Sequence, residues 1–282
     1  MFMKRYRILT YDFDTRARIL SMTIEESWEP QVKELWARNK QQIIERLLRE
    51  YGPSAGDDKI RNFIDFGAMP FSIIAFHNRF FRQVRNAFVV GAYYPALTGA
   101  CALGERILNH LVLRLREDFK STPGYKKVHG KESFDNWDLA IDTLESWGVL
   151  LPEGVAAYRR LRDLRHRCLH FQPEVDTHDR DLALEAIRQL SGIVEIQFSG
   201  VGPRPWIIPG TRGASFVKKS VENIPFVAKV VLPNCHLVGP FHRLEGGPNN
   251  WLVHDDHTYE EREITDEEFA DLYNTHGSAG AI

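Results

Sequence analysis

Apolar residues recur at helical spacing over most of the first 200 positions. In residues 30–52, PQVKELWARNKQQIIERLLREYG, the positions Val32, Leu35, Trp36, Ile43, Ile44, Leu47 and Leu48 mark a helix. Gly52 stands where a closing C′ glycine would. Upstream, residues 5–24 alternate around Tyr6, Ile8, Ile19 and Met22, which predicts a short strand or an extended arm. PSAGDD then breaks the pattern. A helix is predicted over 71–91, closed by Gly91, and Pro95 opens the next, PALTGACALGERILNHLVLRLREDF. So short a connection predicts an antiparallel helical hairpin. The second helix gathers Ala96, Gly99, Ala100, Leu103, Gly104, Ile107, Leu108, Leu111 and Leu115 on one broad face, with small residues that admit a close neighbour.

Residues 121–131 read as a loop, and Ser133 as the N-cap of FDNWDLAIDTLESW, stopped by Gly148. Pro152 opens PEGVAAYRRLRDLRHRCLH, which Pro173 prevents from running on, and 176–198 is the last long helix of the region. From Gly200 the composition turns Pro/Gly-rich. Strands are predicted around 226–232, 237–241 and 251–253, and Thr265-x-x-Glu268 is a capping box for a final short helix. The expected architecture is mainly α. An antiparallel helical bundle over 69–199 follows an N-terminal arm and helix (1–68) and precedes a small α+β appendage (200–282).

Composition narrows the function classes. The chain has 282 residues, with 36 Lys+Arg against 38 Asp+Glu, a net charge of −2 that offers no general argument for nucleic acid. Cys101, Cys168 and Cys235 form no CxxC pair, so a reduced, cytoplasmic setting is expected and a thiolate zinc site is not. The least charged stretch, 87–104, is interrupted by Gly91, Pro95, Gly99 and Gly104, and no membrane span or secretory signal is predicted. Phosphate-loop, dinucleotide-fold and nucleophile-elbow motifs are absent.

Chemistry concentrates in residues 159–171, RRLRDLRHRCLHF. Arginines 159, 160, 162, 165 and 167 stand against the single acid Asp163, a local formal charge of +4 hidden by the whole-chain sum. His166 and His170 lie within and beside this run. The plain reading is a solvated helix face ending in a satisfied histidine. Context sharpens it, because Arg165-His166-Arg167-Cys168-Leu169-His170 closes a helix downstream of a short-looped hairpin.

That arrangement resembles the HEPN superfamily, whose motif is an arginine, a polar residue, and a histidine four to six residues beyond the arginine. The stretch GAYYPALTGACALGERILNHL is similar to the long helix of many HEPN proteins, and the resemblance covers about residues 70–198. It implies a metal-independent endoribonuclease acting in RNA-targeting defence or toxin-like growth arrest, or else a catalytically silent HEPN-like scaffold or RNA-binding partner. Arg165 and His170 would be the catalytic pair and His166 an auxiliary. Histidine titrates near neutrality and serves as acid or base, while the arginine fork suits phosphoryl oxygens. Five residues turn an ideal helix by about 500°, leaving Arg165 and His170 about 140° apart. Either the last turn is distorted or two motifs meet across a symmetric dimer; the HEPN resemblance implies the second, so a homodimer through the helical region is expected.

Further residues have paired readings. Glu105 and Asn109, at i and i+4, either orient the catalytic pair or are an ordinary helix-surface or buried hydrogen-bonding pair. Arg162 and Arg167 either bind flanking phosphates or are solvated. His166 and His170 lack the glutamate of a zinc HExxH motif, and His254-Asp255-Asp256-His257 with His236 and His242 reads more simply as a solvated acidic turn. No metal or cofactor is expected. Residues 254–271 hold nine acids against one arginine, a formal −8. They either solubilise the chain or shield the basic run, or dock a basic regulatory protein. Gln172 occupies the place where some HEPN toxins carry a tyrosine modified by their antitoxin.

Overall fold

The computed structural model describes residues 2–169, 175–247 and 251–277, and the chain is mainly helical. Local signals set most helix ends. α2 (Pro30–Tyr51) has proline in its first turn and gives way to Gly52 at φ 81°. α4 (Ala75–Val89) and α5 (Tyr93–Leu115) form the expected hairpin. At its bend Gly91 takes φ 81°, Ala92 N–H donates to Ala87 O (2.9 Å) and Gly91 N–H to Phe88 O (3.1 Å), a Schellman closure. The same pattern ends α7 (Trp137–Ser146), where Val149 and Gly148 donate to Leu144 and Glu145, both at 2.9 Å. α8 (Pro152–Leu169) and α9 (Val175–Phe198) complete the helical core.

Several expectations give way to local chemistry. The arm holds two short strands, β1 (Arg5–Ile8) and β2 (Asp12–Asp14), but continues as helix α1 (Arg16–Ser21). Asp14 Oδ1 accepts the Arg16 backbone N–H (3.0 Å), and the Ile19–Met22 spacing of three is a helical period rather than strand alternation. The second half of the predicted break is the first turn of α3 (Gly56–Asp65). Residues at the head of the predicted 71–91 helix instead finish strand β3 (Met69–Ser72). The loop before α7 contains a short helix, α6 (Pro123–Val128), capped by Thr122, whose Oγ1 accepts from Tyr125 N (3.3 Å). Asn136, not Ser133, caps α7, its side chain accepting from Leu139 N (3.1 Å).

The predicted 226–232 strand is also a correction. Val227–Val231 is a π-helical turn, with Val227, Val230 and Val231 buried at helical spacing. Pro225 and Pro233 bracket this run and lack the N–H a ladder needs. The remaining strands are β4 (Cys235–Val238), β5 (Arg243–Glu245) and β6 (Leu252–His254), followed by α10 (Asp266–Gly277). Thr265 Oγ1 accepts from Glu268 N (3.1 Å), as the capping box requires.

The sheets are two-stranded and antiparallel: β1 with β4, β2 with β3, β5 with β6. Arg5 pairs Val238 and Ile8 pairs Cys235, so the two ends of the chain are joined by one ladder. Beneath it lies a small core of Met3, Ile208, Phe216, Val238, Phe269 and Tyr273. Arg5 is buried there and satisfied by Asp266 (2.6 Å) and Ile264 O (2.6 Å).

α5 is central to the main core, packed by α4, α7, α8 and α9. Its small residues permit this. A Cβ on Gly99 would meet Val84 Cγ2 of α4 at 3.0 Å, and one on Gly104 would meet Leu161 Cδ2 of α8 and Trp137 Cη2 of α7, both at 2.8 Å. Buried Gln197 of α9 accepts from Leu151 N and donates to Val149 O, both at 2.9 Å, tying α9 to the α7–α8 turn. Among the described residues, no helix is long and apolar enough to cross a membrane.

Candidate functional site

Arg165 lies in the last turns of α8 and faces α5. Its Nη2 is 3.0 Å from Glu105 Oε2, with both side chains partly buried. The same carboxylate oxygen accepts the indole N–H of Trp137 at 2.9 Å, and the Arg165 guanidinium lies 5.9 Å from the centroid of that ring. Trp137 is buried, its ring against Gly104, and contacts Tyr158 edge-on at 6.4 Å. Three helices thus converge on one carboxylate: α5 supplies Glu105, α7 Trp137 and α8 Arg165.

Asn109, one turn beyond Glu105, serves a different member of the group. Its Nδ2 donates to Glu105 O and Phe134 O, both at 2.9 Å, and its Oδ1 accepts from Phe134 N at 2.6 Å. Both backbone groups of Phe134 are satisfied this way. The amide therefore anchors the strand of chain that leads into Asn136 and Trp137. Glu105 and Asn109 act together, but on Arg165 and on the α7 entry respectively. Trp137 was missed from sequence, since an indole 32 positions from its acceptor leaves no local trace.

The basic run does not stand as a bare cationic patch. Arg159 pairs with Asp142 (3.2 Å) and Glu145 (2.9 Å), Arg162 with Asp163 (2.8 Å) and closely with Asp138, and Arg167 with Glu185 (3.7 Å). Arg160 donates to Gln189 at 3.0 Å. Counting Glu105, these arginines face six carboxylates, five of them from α5, α7 and α9. The +4 read along the chain is thereby offset in space. His166 is on α8 one residue beyond Arg165. His170 and Gln172 lie outside the described residues.

Burial pushes the thiol of the neighbouring Cys101 up to about 12 and raises that of Cys168, which disfavours the thiolate at both. Beside Glu105 and Asn109, the α4–α5 hairpin frames a mostly apolar cavity of about 770 Å³ with Phe80, Ala87, Gly99 and Leu103 in its walls.

In the acidic C-terminal run, Asp255 and Asp266 pair with Lys4 and Arg5 of the N-terminal arm. Asp255 takes Lys4 Nζ (2.7 Å), Tyr259 OH (2.5 Å) and Gly239 N (3.1 Å), and these donors hold its carboxyl below the usual range although burial opposes them. His242 donates from Nδ1 to Gly239 O (2.6 Å) and meets Arg7 Nη1 through Nε2 (2.5 Å). His254 faces Glu245 at 3.3 Å. Among the described residues, no group of three His, Cys, Asp or Glu side chains is placed to hold a metal ion.

Compared with protein-family models, with curated proteins and with solved structures, the chain gives no significant match.

Proposed function

We propose that the chain is a metal-independent endoribonuclease of HEPN type, with Arg165 and His170 as the catalytic pair, His166 as auxiliary, and Arg162 and Arg167 at flanking phosphates. The observation that carries this reading is the partly buried Arg165, fixed by Glu105 at 3.0 Å in the last turns of α8. A guanidinium carries five donors. One carboxylate oxygen shared with an indole takes up only part of that capacity, so Glu105 can orient Arg165 toward a phosphoryl group without consuming it.

In the reaction, the RNA 2′-oxygen attacks the adjacent phosphorus and the P–O5′ bond breaks. A base removes the 2′-OH proton and an acid delivers one to the departing 5′-oxygen. His170 supplies the proton transfer, and Arg165 stabilises charge on the phosphorane-like transition state. Products carry 2′,3′-cyclic phosphate and 5′-OH ends. DNA lacks the nucleophile. Two protomers, meeting through the helical region, would combine their motifs in one cleft, and the cellular role would be RNA-targeting defence or growth arrest.

One observation favours a second reading, a catalytically silent HEPN-like scaffold. The carboxylates facing Arg159, Arg162 and Arg167 oppose RNA at that helix face. Incubation with total RNA in EDTA separates the two. Cleavage leaving 2′,3′-cyclic phosphate ends, lost in both Arg165→Ala and His170→Ala, supports the nuclease. No cleavage, or equal cleavage by the variants, assigns the scaffold.

A further inference from the structure

A second cavity, of about 930 Å³, opens between the β1–β2 arm and helices α2, α3 and α4, and shares no residue with the Arg165 group. α4 stands between the two cavities, presenting Arg82, Arg85 and Asn86 to this one and Phe80, Gln83, Val84 and Ala87 to the other. Arg16, Arg82 and Arg85 line this cavity with Asp12, Asp14 and Glu50, but among the described residues one arginine is left without an ion pair.

Arg85 lines this cavity and is 3% exposed. Its guanidinium stacks on Phe66, 3.7 Å from the ring centroid, and Nη2 donates to Gly67 O at 2.7 Å. Among the described residues, Nη1 has no hydrogen-bond partner and no carboxylate lies within ion-pair distance of the group. The acids around the cavity are engaged elsewhere. Asp14 and Glu50 pair with Arg16 at 2.9 and 2.7 Å, and Asp12 pairs closely with Arg82. Burial lowers the Arg85 pKa to about 10, still above neutrality, so the side chain stays charged. A buried, unpaired charge is costly unless something compensates it. The buried indole N–H of Trp251, which lines the same cavity, also lacks a partner among the described residues. Both unmatched groups are donors, so the complementary ligand brings acceptors and negative charge.

The rest of the wall suits a flat ring. Phe13 is 37% exposed and stacks on Phe71 at 4.2 Å and 17°, and Tyr11 lies 5.6 Å from the same ring. Phe13 and Tyr11 both line the cavity. An exposed ring, Phe13, and a partly buried one, Tyr11, line the same cavity as the unpaired Arg85 and offer a stacking surface with an anion anchor, and the volume falls in the range of small-ligand sites. We propose that this cavity binds a mononucleotide, its phosphate directed to Arg85 and its base stacked against Phe13 and Tyr11.

The test is calorimetric titration and thermal melting of the full chain in EDTA, with AMP, ATP, adenosine, inorganic phosphate and benzoate as probes. AMP or ATP should bind at one site per chain and raise Tm by several degrees. Adenosine should bind at least about tenfold more weakly for want of the anion. Phe13→Ala removes the stacking on Phe71 and should lower the Tm of the unliganded protein by only a few degrees, while weakening nucleotide binding at least about tenfold. Arg85→Lys keeps the charge but loses the planar fork, and should weaken binding while the protein stays folded. Arg165→Ala should bind nucleotide as wild type does, which keeps this outcome separate from the nuclease reading. The proposal is overturned if neither nucleotide binds up to about 5 mM. Unchanged binding in both Phe13→Ala and Arg85→Lys, or binding of benzoate in place of nucleotides, overturns it equally.

Discussion

Replacing Glu105 with alanine tests the convergence of α5, α7 and α8 on one oxygen. Glu105 Oε2 forms an ion pair with Arg165 Nη2 (3.0 Å) and accepts from Trp137 Nε1 (2.9 Å). Trp137 is only 2% exposed, so alanine strands a buried indole N–H, at a cost of about 1–3 kcal/mol. The ion pair joins side chains that are 21% and 32% exposed, and solvent screening limits it to about 0.5–1 kcal/mol. Together these give about 1.5–4 kcal/mol, and at roughly 2–4 °C per kcal/mol a Tm loss of about 3–16 °C.

Glu105→Gln keeps an acceptor for the indole and drops only the charge, so it should cost about 0.5–1 kcal/mol. Trp137→Phe removes the donor, and Glu105→Ala made in that background should fall to the ion-pair cost alone. The coupling energy between positions 105 and 137 should then be about 1–3 kcal/mol. Urea unfolding of wild type, Glu105→Ala, Trp137→Phe and the double variant, with the slope m checked for constancy, measures it. The shared-acceptor argument is wrong if Glu105→Ala and Glu105→Gln are equally destabilised. It is equally wrong if Glu105→Ala costs as much alongside Trp137→Phe as it does with the indole in place.

Three other outcomes follow from the same packing. Gly104→Ala should destabilise by about 1–2 kcal/mol in thermal melts, because overpacking against Leu161 and Trp137 outweighs the gain of about 1 kcal/mol in helix propensity; a stabilised variant would contradict the 2.8 Å contacts. Asn109→Ala should speed amide exchange across residues 134–139, since it removes the partners of both Phe134 backbone groups; unchanged exchange there would show that the α7 entry is held by something else. His242, its pKa lowered to about 4 chiefly by burial, with Arg7 adding to the effect and Gly239 and Asp255 opposing it, is neutral in the fold. Between pH 6.5 and 4 the unfolded chain takes up the proton that the folded one excludes, so stability present above pH 6.5 falls as the pH drops through this window. His242→Gln should flatten the Tm decline over that interval, and an unchanged slope would exclude the histidine as its source.

What the chain determines by itself is the set of local endings. Gly52, Gly91 and Gly148 stop helices at positive φ, Pro30 and Pro152 start them, and Thr265 caps the last one. Each acts within about one helical turn, where sterics and hydrogen bonding between near neighbours suffice. The α4–α5 hairpin and the small residues that admit α8 were legible for the same reason. The pairing of Glu105 with the helix that carries Arg165 came only from the HEPN resemblance, as one of two readings. Where local signals competed, as at 16–21 and 226–232, alternation or β-branching pointed one way and burial at helical spacing decided the other.

Tertiary structure alone decided everything that depends on distant partners. The β1–β4 ladder joins residues more than two hundred positions apart. Trp137 finds its acceptor 32 residues away. The arginine run, strongly positive along the chain, is offset in space by acids from α5, α7 and α9. Arg85 looks no different in sequence from Arg82, one helical turn earlier in α4, yet among the described residues Arg82 has a carboxylate partner and Arg85 does not. Charge is summed over space, whereas sequence orders it along a line, and only folding brings the terms of that sum together.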